Sequence, residues 1–564
     1  IMIMSYYSAN AQMNLIYNLH SRVNYSEERR DFMSLVYVTN KKNGTTYVYE
    51  STNYWDKEKK QSRSKRVCIG KLDEAGNLVP SKRLAMPPAL APAKQGPVPS
   101  TVMKRSFYGA TYLFDKIGEL LGVTADLKAC FPESYKQILS IAYFLILEDR
   151  NTMLRFPKWD RTHSHPYGSC IPSQRSSDLF ASVTEEAKNR FFSLQAKRRT
   201  ENEYWAYDTT SVSSYSESLK QVKYGINKDH DPLAQINLAL LFGEESGLPF
   251  YYRKLAGNIS DVKTVKHLLA DLGNLGFSKV KLVMDRGFYS KENIDALYQN
   301  HLKFLMATKV SLKYVQEELN KVRDNIRTRA NYNASYQLYS HTATIDWEYS
   351  QKRPYKGDVI EGKRRMYLHL YFSGEKALEH ENRFNALLDR LEAELVSGNR
   401  KAEHEKQYAK YFEITSTPKR GTKVTPKQKA ITQAEKDYGF FALISNEIKD
   451  PIAALDLYRN KDIVEKAFGN LKERLNLRRT AVSSESSLEG KLFVQFIALI
   501  YLSYIKKQMS EKGLYKNYTM QELLDELDVI EAFENPGSAV RVGEITKKQS
   551  QLYNTLGVVP PTTL

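Results

Sequence analysis

The chain has 564 residues, more than one hydrophobic core usually serves, so roughly three to five units of about 100 to 200 residues are expected. Apolar residues make up 42%, enough for real cores, while 83 Lys plus Arg against 65 Asp plus Glu leave a formal charge of +18. That excess asks for an acidic partner, nucleic acid first and a membrane surface second, because each cation that neutralises a phosphate releases condensed counterions.

The longest apolar stretch, Leu492 to Ile505, is about 14 residues, short of the ~20 that a bilayer crossing needs. It reads as a buried core helix, and no membrane partner is expected. The opening Ile1-Met2-Ile3-Met4 lacks the basic, apolar and small-residue segments of a secretory signal, so a cytoplasmic location is expected. Cys68, Cys130 and Cys170 are far apart and odd in number, which argues against a disulfide framework or a zinc site. They read as small buried hydrophobes.

In chain order, residues 1–33 form an N-terminal segment. Residues 34–85 carry short strand patterns punctuated by Asn-Gly and Gly-Asn turns and predict a small β module. The prolines of MPPALAPAKQGPVPS mark a linker over 86–106. Helical periodicity such as Leu113, Ile117, Leu120 and Leu121 predicts a helical DNA-binding domain over 107–200, in which Ser173-Gln174-Arg175 opens a recognition helix.

Residues 201–310 change to strands. YWAYD closes at Asp208, QINLALLF and LPFYYRKLA follow, Ser260-Asp261 caps a helix, KVKLVMD closes at Asp285, and FLMATKV follows. This order predicts a meander of three strands, a helix, and further strands parallel to the first. Residues 311–437 break the regularity and read as an α+β insertion, with strands near Tyr336 to Trp347 and Met366 to Phe372, a charged helix from about Glu375 and the basic loop PKRGTKVTPKQK. For Trp347 core packing is the expected role, with stacking on a base as the alternative. The core resumes over 438–510 with the strand YGFFALIS and a helix opened by Pro451 and running to about Leu475. Residues 511–564 form a C-terminal helical region.

On that last helix Tyr458, Lys461, Glu465 and Lys472 fall within roughly 60° of one another at about 100° per residue. One stripe presents a hydroxyl, a carboxylate and two cations beside the apolar Val464, Phe468 and Leu471. If the strands ending at Asp208 and Asp285 are adjacent and parallel, both carboxylates emerge at one sheet edge. Three such acids can hold Mg²⁺, which takes hard oxygen ligands and keeps several waters, and a pair of ions can drive an in-line phosphoryl displacement. Arg286, Lys461 and Lys472 then hold DNA phosphates.

These residues resemble the DDE transposases of bacterial insertion sequences, of the insertion-sequence-four type, which carry a Tyr-x2-Arg-x3-Glu-x6-Lys signature. Here it reads Tyr458, Lys461, Glu465, Lys472, with Lys in place of Arg; Lys is a point charge without the bidentate fork, and adjacent Arg459 is a candidate to compensate. The resemblance covers about 200 to 505 and includes Tyr207-Asp208-Thr209-Thr210, Lys228-Asp229-His230, Gly257-Asn258, Asp285-Arg286-Gly287-Phe288, Leu477-Arg478-Arg479 and Glu489-Gly490-Lys491. It implies an RNase H-like mixed sheet flanked by helices and interrupted by an insertion. It also implies Asp208, Asp285 and Glu465 as catalytic metal ligands for two Mg²⁺ ions, with Mn²⁺ able to substitute, and Tyr458, Arg459, Lys461, Lys472, Arg286, Arg478 and Arg479 as DNA contacts. The implied reaction is cleavage at terminal inverted repeats of double-stranded DNA and strand transfer into target DNA, by a homodimer in a synaptic complex. The alternatives are an RNase H-like nuclease without strand transfer and a non-catalytic DNA-binding derivative.

Overall fold

The computed structural model describes residues 33–56, 59, 61–81, 103–149, 151–198, 203–277, 280–352, 359–417, 421–535 and 540–562. Residues 1–32 and 82–102, which hold the expected N-terminal segment and most of the Pro-rich linker, lie outside them. The chain divides into two compact units, Ile1–Pro99 and Ser100–Leu564.

In the first unit β1 (Met33–Thr39), β2 (Thr46–Asp56), β3 (Gln61–Leu72) and β4 (Leu78–Pro80) pair antiparallel in sequence order. The first turn places Gly44 at φ +66°, where a side chain would be strained. In the turn between β3 and β4, Asp73 Oδ1 accepts from the backbone N–H groups of Ala75 and Asn77, as Asp does in turns.

The second unit opens with β5 (Lys104–Phe107) and helices that include Gly109–Leu120, Tyr135–Leu147, Ser173–Ala181 and Glu185–Lys197. The meander β6 (Tyr204–Ser213), β7 (Gln235–Gly243) and β8 (Pro249–Ala256) follows, then helix Asp261–Asn274, β9 (Lys281–Met284), helix Lys291–Gln299 and β10 (Lys303–Thr308). Beyond them lie β11 (Tyr332–Asn333), the long hairpin β12 (Leu338–Lys352) and β13 (Val359–Ser373), helix Gly374–Val396, β14 (Phe412–Thr417), β15 (Gly421–Pro426) and β16 (Phe440–Ser445). The C-terminal part holds helices Glu485–Glu511, Met520–Asp528 and Lys547–Thr555, with β17 (Glu531–Glu534) and β18 (Arg541–Val542).

One mixed sheet organises this unit. It has nine strands among the described residues, in the order β11-β12-β13-β16-β10-β9-β6-β7-β8. β6, β9 and β10 run parallel and the other pairings are antiparallel. Every residue of β7 is buried, in keeping with its apolar run Leu238–Phe242.

Two sequence expectations change here. The hairpin β12–β13 is not set apart from the core: β13 pairs with β16, so these strands of 311–437 extend the central sheet. Only the part around helix Gly374–Val396 has a small core of its own, Leu391, Leu395, Tyr408, Tyr411, Phe412 and Ile431. The helices of 107–200, likewise, share one core with the C-terminal part. Helix Glu485–Glu511 is long and apolar enough to cross a membrane by length and composition, yet Leu492 to Ile505 are all buried against helices Tyr135–Leu147 and Ser173–Ala181 and strand β8. Burying each large apolar side chain contributes about 1.5–3 kcal/mol, so this helix is a central pillar. Helix Ser173–Ala181 buries Leu179 and Phe180 on that pillar and leaves Gln174 and Arg175 exposed. β5 pairs with β17, Phe107 opposite Glu531, which ties the start of the unit to its end. The three cysteines are free and half-buried rather than fully enclosed.

Candidate active site

The register of the parallel strands sets the site. Tyr207 on β6 pairs with Met284 on β9, so the next residues, Asp208 and Asp285, stand abreast. β9 stops there, as expected, and Asp285 opens a short 3-10 turn, Arg286–Phe288. β6 does not stop: Asp208 lies in mid-strand, because β6 runs on to Ser213 paired with β7 after its pairing with β9 has ended.

Burial holds the Asp208 carboxyl above the usual carboxylate range, against the opposing pull of Lys228 and Lys461, and the nearby Asp285 adds to the rise. Its Oδ1 accepts from the Thr209 backbone N–H at 2.7 Å. Burial also works to raise Asp285, but there it is outweighed by the Tyr458 hydroxyl, the Arg286 backbone N–H and the charges of Lys461 and Arg286, and Asp285 lies below its ordinary value. The Tyr458 hydroxyl donates to Asp285 Oδ1 at 2.6 Å. Burial, together with the Asp285 charge, pushes the Tyr458 phenol far up, so it stays a donor.

Helix Pro451–Asn460 is capped by Asp450, whose carboxylate accepts from Ala453 N–H at 2.7 Å. The single helix expected to run to Leu475 is broken. Lys461 ends this helix and opens a second, Asp462–Gly469, and a π turn follows at Asn470–Arg474, where Leu475 N–H reaches Asn470 O at 3.0 Å. A π turn takes more residues than an α turn, so the helical spacing that aligned Lys472 with Glu465 does not hold through it, and Lys472 is engaged elsewhere. Both oxygens of Asp229 bind its ammonium, at 2.6 and 2.7 Å.

Tyr458, Lys461 and Glu465 stay together. The Lys461 side chain is only 5% exposed and donates to Glu465 Oε1 at 3.1 Å. Burial works to lower its pKa, but the charges of Asp208, Asp285 and Glu465 prevail and raise it. The Glu465 side chain is 60% exposed.

The expected cations disperse. Arg286 is exposed next to Asp285. Arg459 lies over the Tyr336 ring, 4.4 Å from its centroid, and so does not replace the missing guanidinium beside Glu465. Arg478 pairs with Glu473. Arg479 lies 3.5 Å from Asp231 and stacks on Tyr215, in a segment that bonds the end of β6 through Ser213. Trp347 is buried, donates to Asp295 Oδ1 at 2.8 Å and meets Tyr314 edge-on.

Residue patterning left two site neighbours without a role. Lys228 donates to the Thr209 carbonyl and hydroxyl at 2.7 Å each and lies 3.2 Å from Asp261 Oδ2 and 3.7 Å from Asp208 Oδ1. Asp261 in turn accepts from the Thr209 hydroxyl. Their motifs, Lys228-Asp229-His230 and Ser260-Asp261, were visible in the sequence, but only the fold brings them to Asp208.

Among the described residues no three His, Cys, Asp or Glu side chains converge as a ready metal cluster. Asp208 and Asp285 nevertheless fit a divalent cation: two hard oxygen donors stand side by side on paired strands, and the buried Asp208 carboxylate gains from a nearby cation. Mg²⁺ bound by one or two carboxylates completes its shell with water and phosphate.

Two carboxylates abreast on neighbouring parallel strands of a mixed sheet, Asp208 within β6 and Asp285 at the end of β9, with Lys461 bearing on both, mark the candidate centre of an α/β protein. The family described as "Transposase DDE domain" matches residues 205–501, more than half of the chain, and the chain belongs to this family. Its members generally use divalent metal ions. Among solved structures, the cryo-EM piggyBac transposase synaptic complex with hairpin DNA is similar at 12% identity over 73% of this chain and 70% of that chain, with a TM-score of 0.29. A comparison with curated proteins finds no match.

Proposed function

We propose that the chain is a cut-and-paste DNA transposase of the bacterial insertion-sequence type, acting in the cytoplasm. Asp208, Asp285 and Glu465 are its acidic centre and a homodimer synapses two inverted repeats. The observation that carries this reading is the Tyr207–Met284 register, which sets Asp208 and Asp285 abreast beside the helix that bears Glu465. The sub-order β8-β7-β6-β9-β10, three antiparallel strands and then two parallel ones, supports an RNase H-like core.

In this reading Asp208, Asp285 and Glu465 would hold the metal, Glu465 giving up its present bond to Lys461. Two Mg²⁺ ions, with Mn²⁺ able to substitute, would activate the attacking oxygen and stabilise the leaving one. Tyr458 keeps Asp285 ionised by donating to it. Lys228 fixes Asp208 through the Thr209 carbonyl. Lys461 and Arg286 offer positive charge to the DNA phosphate, while Lys472, Arg459, Arg478 and Arg479 must exchange their present partners before they can do so.

The test is a duplex carrying the inverted repeats that flank the gene, incubated with Mg²⁺ or Mn²⁺. Wild type nicks at the repeat boundary and joins pre-cleaved ends to target DNA. Asp208→Ala, Asp285→Ala and Glu465→Ala each bind the duplex but lose cleavage by on the order of 10³-fold, since metal polarisation accounts for several kcal/mol of the barrier. Cleavage without joining would leave a nuclease, and cleavage retained by one variant would remove that acid from the centre.

A further inference from the structure

Directly beyond Asp285 the protein surface opens into a cleft of about 930 Å³. Four cations from three separated segments edge it: Arg286, Lys309, Arg383 and Arg390, all exposed. The acid on the lining, Asp437, is turned inward, accepting from Arg323 at 3.0 Å and from Gln316 Nε2 at 3.0 and 3.1 Å. Arg383 also meets Glu379 one turn earlier, an exposed pair that a phosphate can displace. The rim therefore keeps a strong positive excess.

The floor is different in kind. On helix Gly374–Val396, Phe384 and Leu387 face the cleft between the two arginines, and Tyr438 closes the side. Phe384 and Tyr438 meet edge-on at 5.9 Å between ring centroids, and both are half-buried. A cationic rim over an aromatic floor is the pattern that receives unpaired nucleic acid, with phosphates on the cations and bases on the rings. A duplex keeps its base faces stacked inside, so it could use the rim and not the floor.

We propose that this cleft holds an unpaired DNA strand that runs on from the phosphate at Asp285, its backbone on Arg286, Lys309, Arg383 and Arg390 and a base against Phe384 and Tyr438. The proposal rests on the transposase reading for its substrate and adds where, and in what form, the strand leaves the acidic centre. Arg286 is the joint between the two, since it follows Asp285 in the chain and lines the cleft.

The experiment is fluorescence anisotropy on the full chain in EDTA, with a labelled oligothymidylate of about ten nucleotides and a blunt duplex of equal length as probes. Arg383→Glu with Arg390→Glu is expected to weaken oligothymidylate binding roughly tenfold or more near 100 mM salt, and to flatten its logarithmic salt slope by about 1.4. Lys512→Glu with Lys516→Glu, the same charge change at exposed sites elsewhere, leaves that binding within about twofold. Phe384→Leu keeps an apolar side chain and is expected to weaken the oligothymidylate about fivefold or more while sparing the duplex. Unchanged oligothymidylate binding in the double arginine variant overturns the proposal, and so does a Phe384→Leu loss shared equally by duplex and single strand. Failure of wild type to cleave with metal would sink the transposase reading instead, and leaves these EDTA measurements standing on their own.

Discussion

Lys461 and Glu465, four residues apart, are joined at 3.1 Å across a helix junction, the ammonium buried and the carboxylate open to solvent. The same ammonium bears on Asp208 and Asp285. One lysine thus supplies much of the positive charge that three acids need in the absence of a metal, and the acid at its far end is the one free to move.

Replacing Lys461 by Met should expose that balance. Asp208 and Asp285 would then face each other with Lys228 and Arg286 as the remaining nearby cations. The metal-free protein should lose about 1–3 kcal/mol, below the cost of breaking a fully buried pair because Glu465 is solvated. Melting curves in EDTA and in Mn²⁺ check this: the variant melts earlier without metal and gains more from it than wild type. An equal gain in both proteins would show that Lys461 does not stand in for the metal.

Tyr458→Phe removes the 2.6 Å bond to Asp285. The depressed pKa of Asp285 means that its contribution to stability is present above the ordinary carboxylate value and is lost as pH falls through the lower, folded value. Without the hydroxyl that folded value rises, so the variant should lose about 1–1.5 kcal/mol at neutral pH. Mn²⁺ binding should also fail at a higher pH on the acid side. Calorimetric titrations from neutral to acid pH decide it, and an unmoved acid limb would show that Tyr458 does not tune Asp285.

Much of this site was legible in the residues, and for different reasons. The strands carrying Asp208 and Asp285 announced themselves by apolar runs, and the helix Asp261–Asn274 before the second suggested a parallel return, but their adjacency was only a condition in the sequence and is settled by the β6–β9 pairing. The grouping of Tyr458, Lys461 and Glu465 followed from helical spacing. The pairing of Lys472 with Asp229 was not legible, because periodicity assumes an unbroken α-helix and nothing local signals a π turn at Asn470–Arg474. Arg459 was misjudged because its partner, the ring of Tyr336, lies more than a hundred positions away. The hairpin β12–β13 looked like an insertion because strand patterns do not state their partners, and its pairing with β16 is a tertiary fact.

Around helix Gly374–Val396 acid should act selectively. Glu394 accepts from the Tyr408 hydroxyl at 2.5 Å and pairs with His404 Nδ1 at 2.6 Å, and these bonds, the tyrosine first, hold its carboxyl down to about 2. Its contribution is full above the ordinary carboxylate range near 4.5 and is lost as pH falls from there toward about 2. Hydrogen exchange across residues 374–435 should therefore speed up in that window before the central sheet opens, and Glu394→Gln should flatten the dependence. A Gln variant with the same acid profile would assign the transition to another group.

Gly490 tests whether the Glu489-Gly490-Lys491 motif is catalytic or architectural. A Cβ built at Gly490 overlaps the backbone carbonyl of Phe180, where the pillar helix Glu485–Glu511 crosses helix Ser173–Ala181. Glu489, on the same turn, binds Lys188 at 2.6 Å and Lys254 at 2.8 Å, which fastens the pillar to helix Glu185–Lys197 and to β8. These contacts serve packing. Gly490→Ala should cost about 3 kcal/mol, since a backbone atom cannot yield as a side chain can, and urea unfolding will read that loss as a lower midpoint with unchanged slope. Cleavage by the fraction still folded should match wild type, because nothing at the acidic centre has moved. A variant that melts like wild type but no longer cuts would place this motif in the chemistry instead.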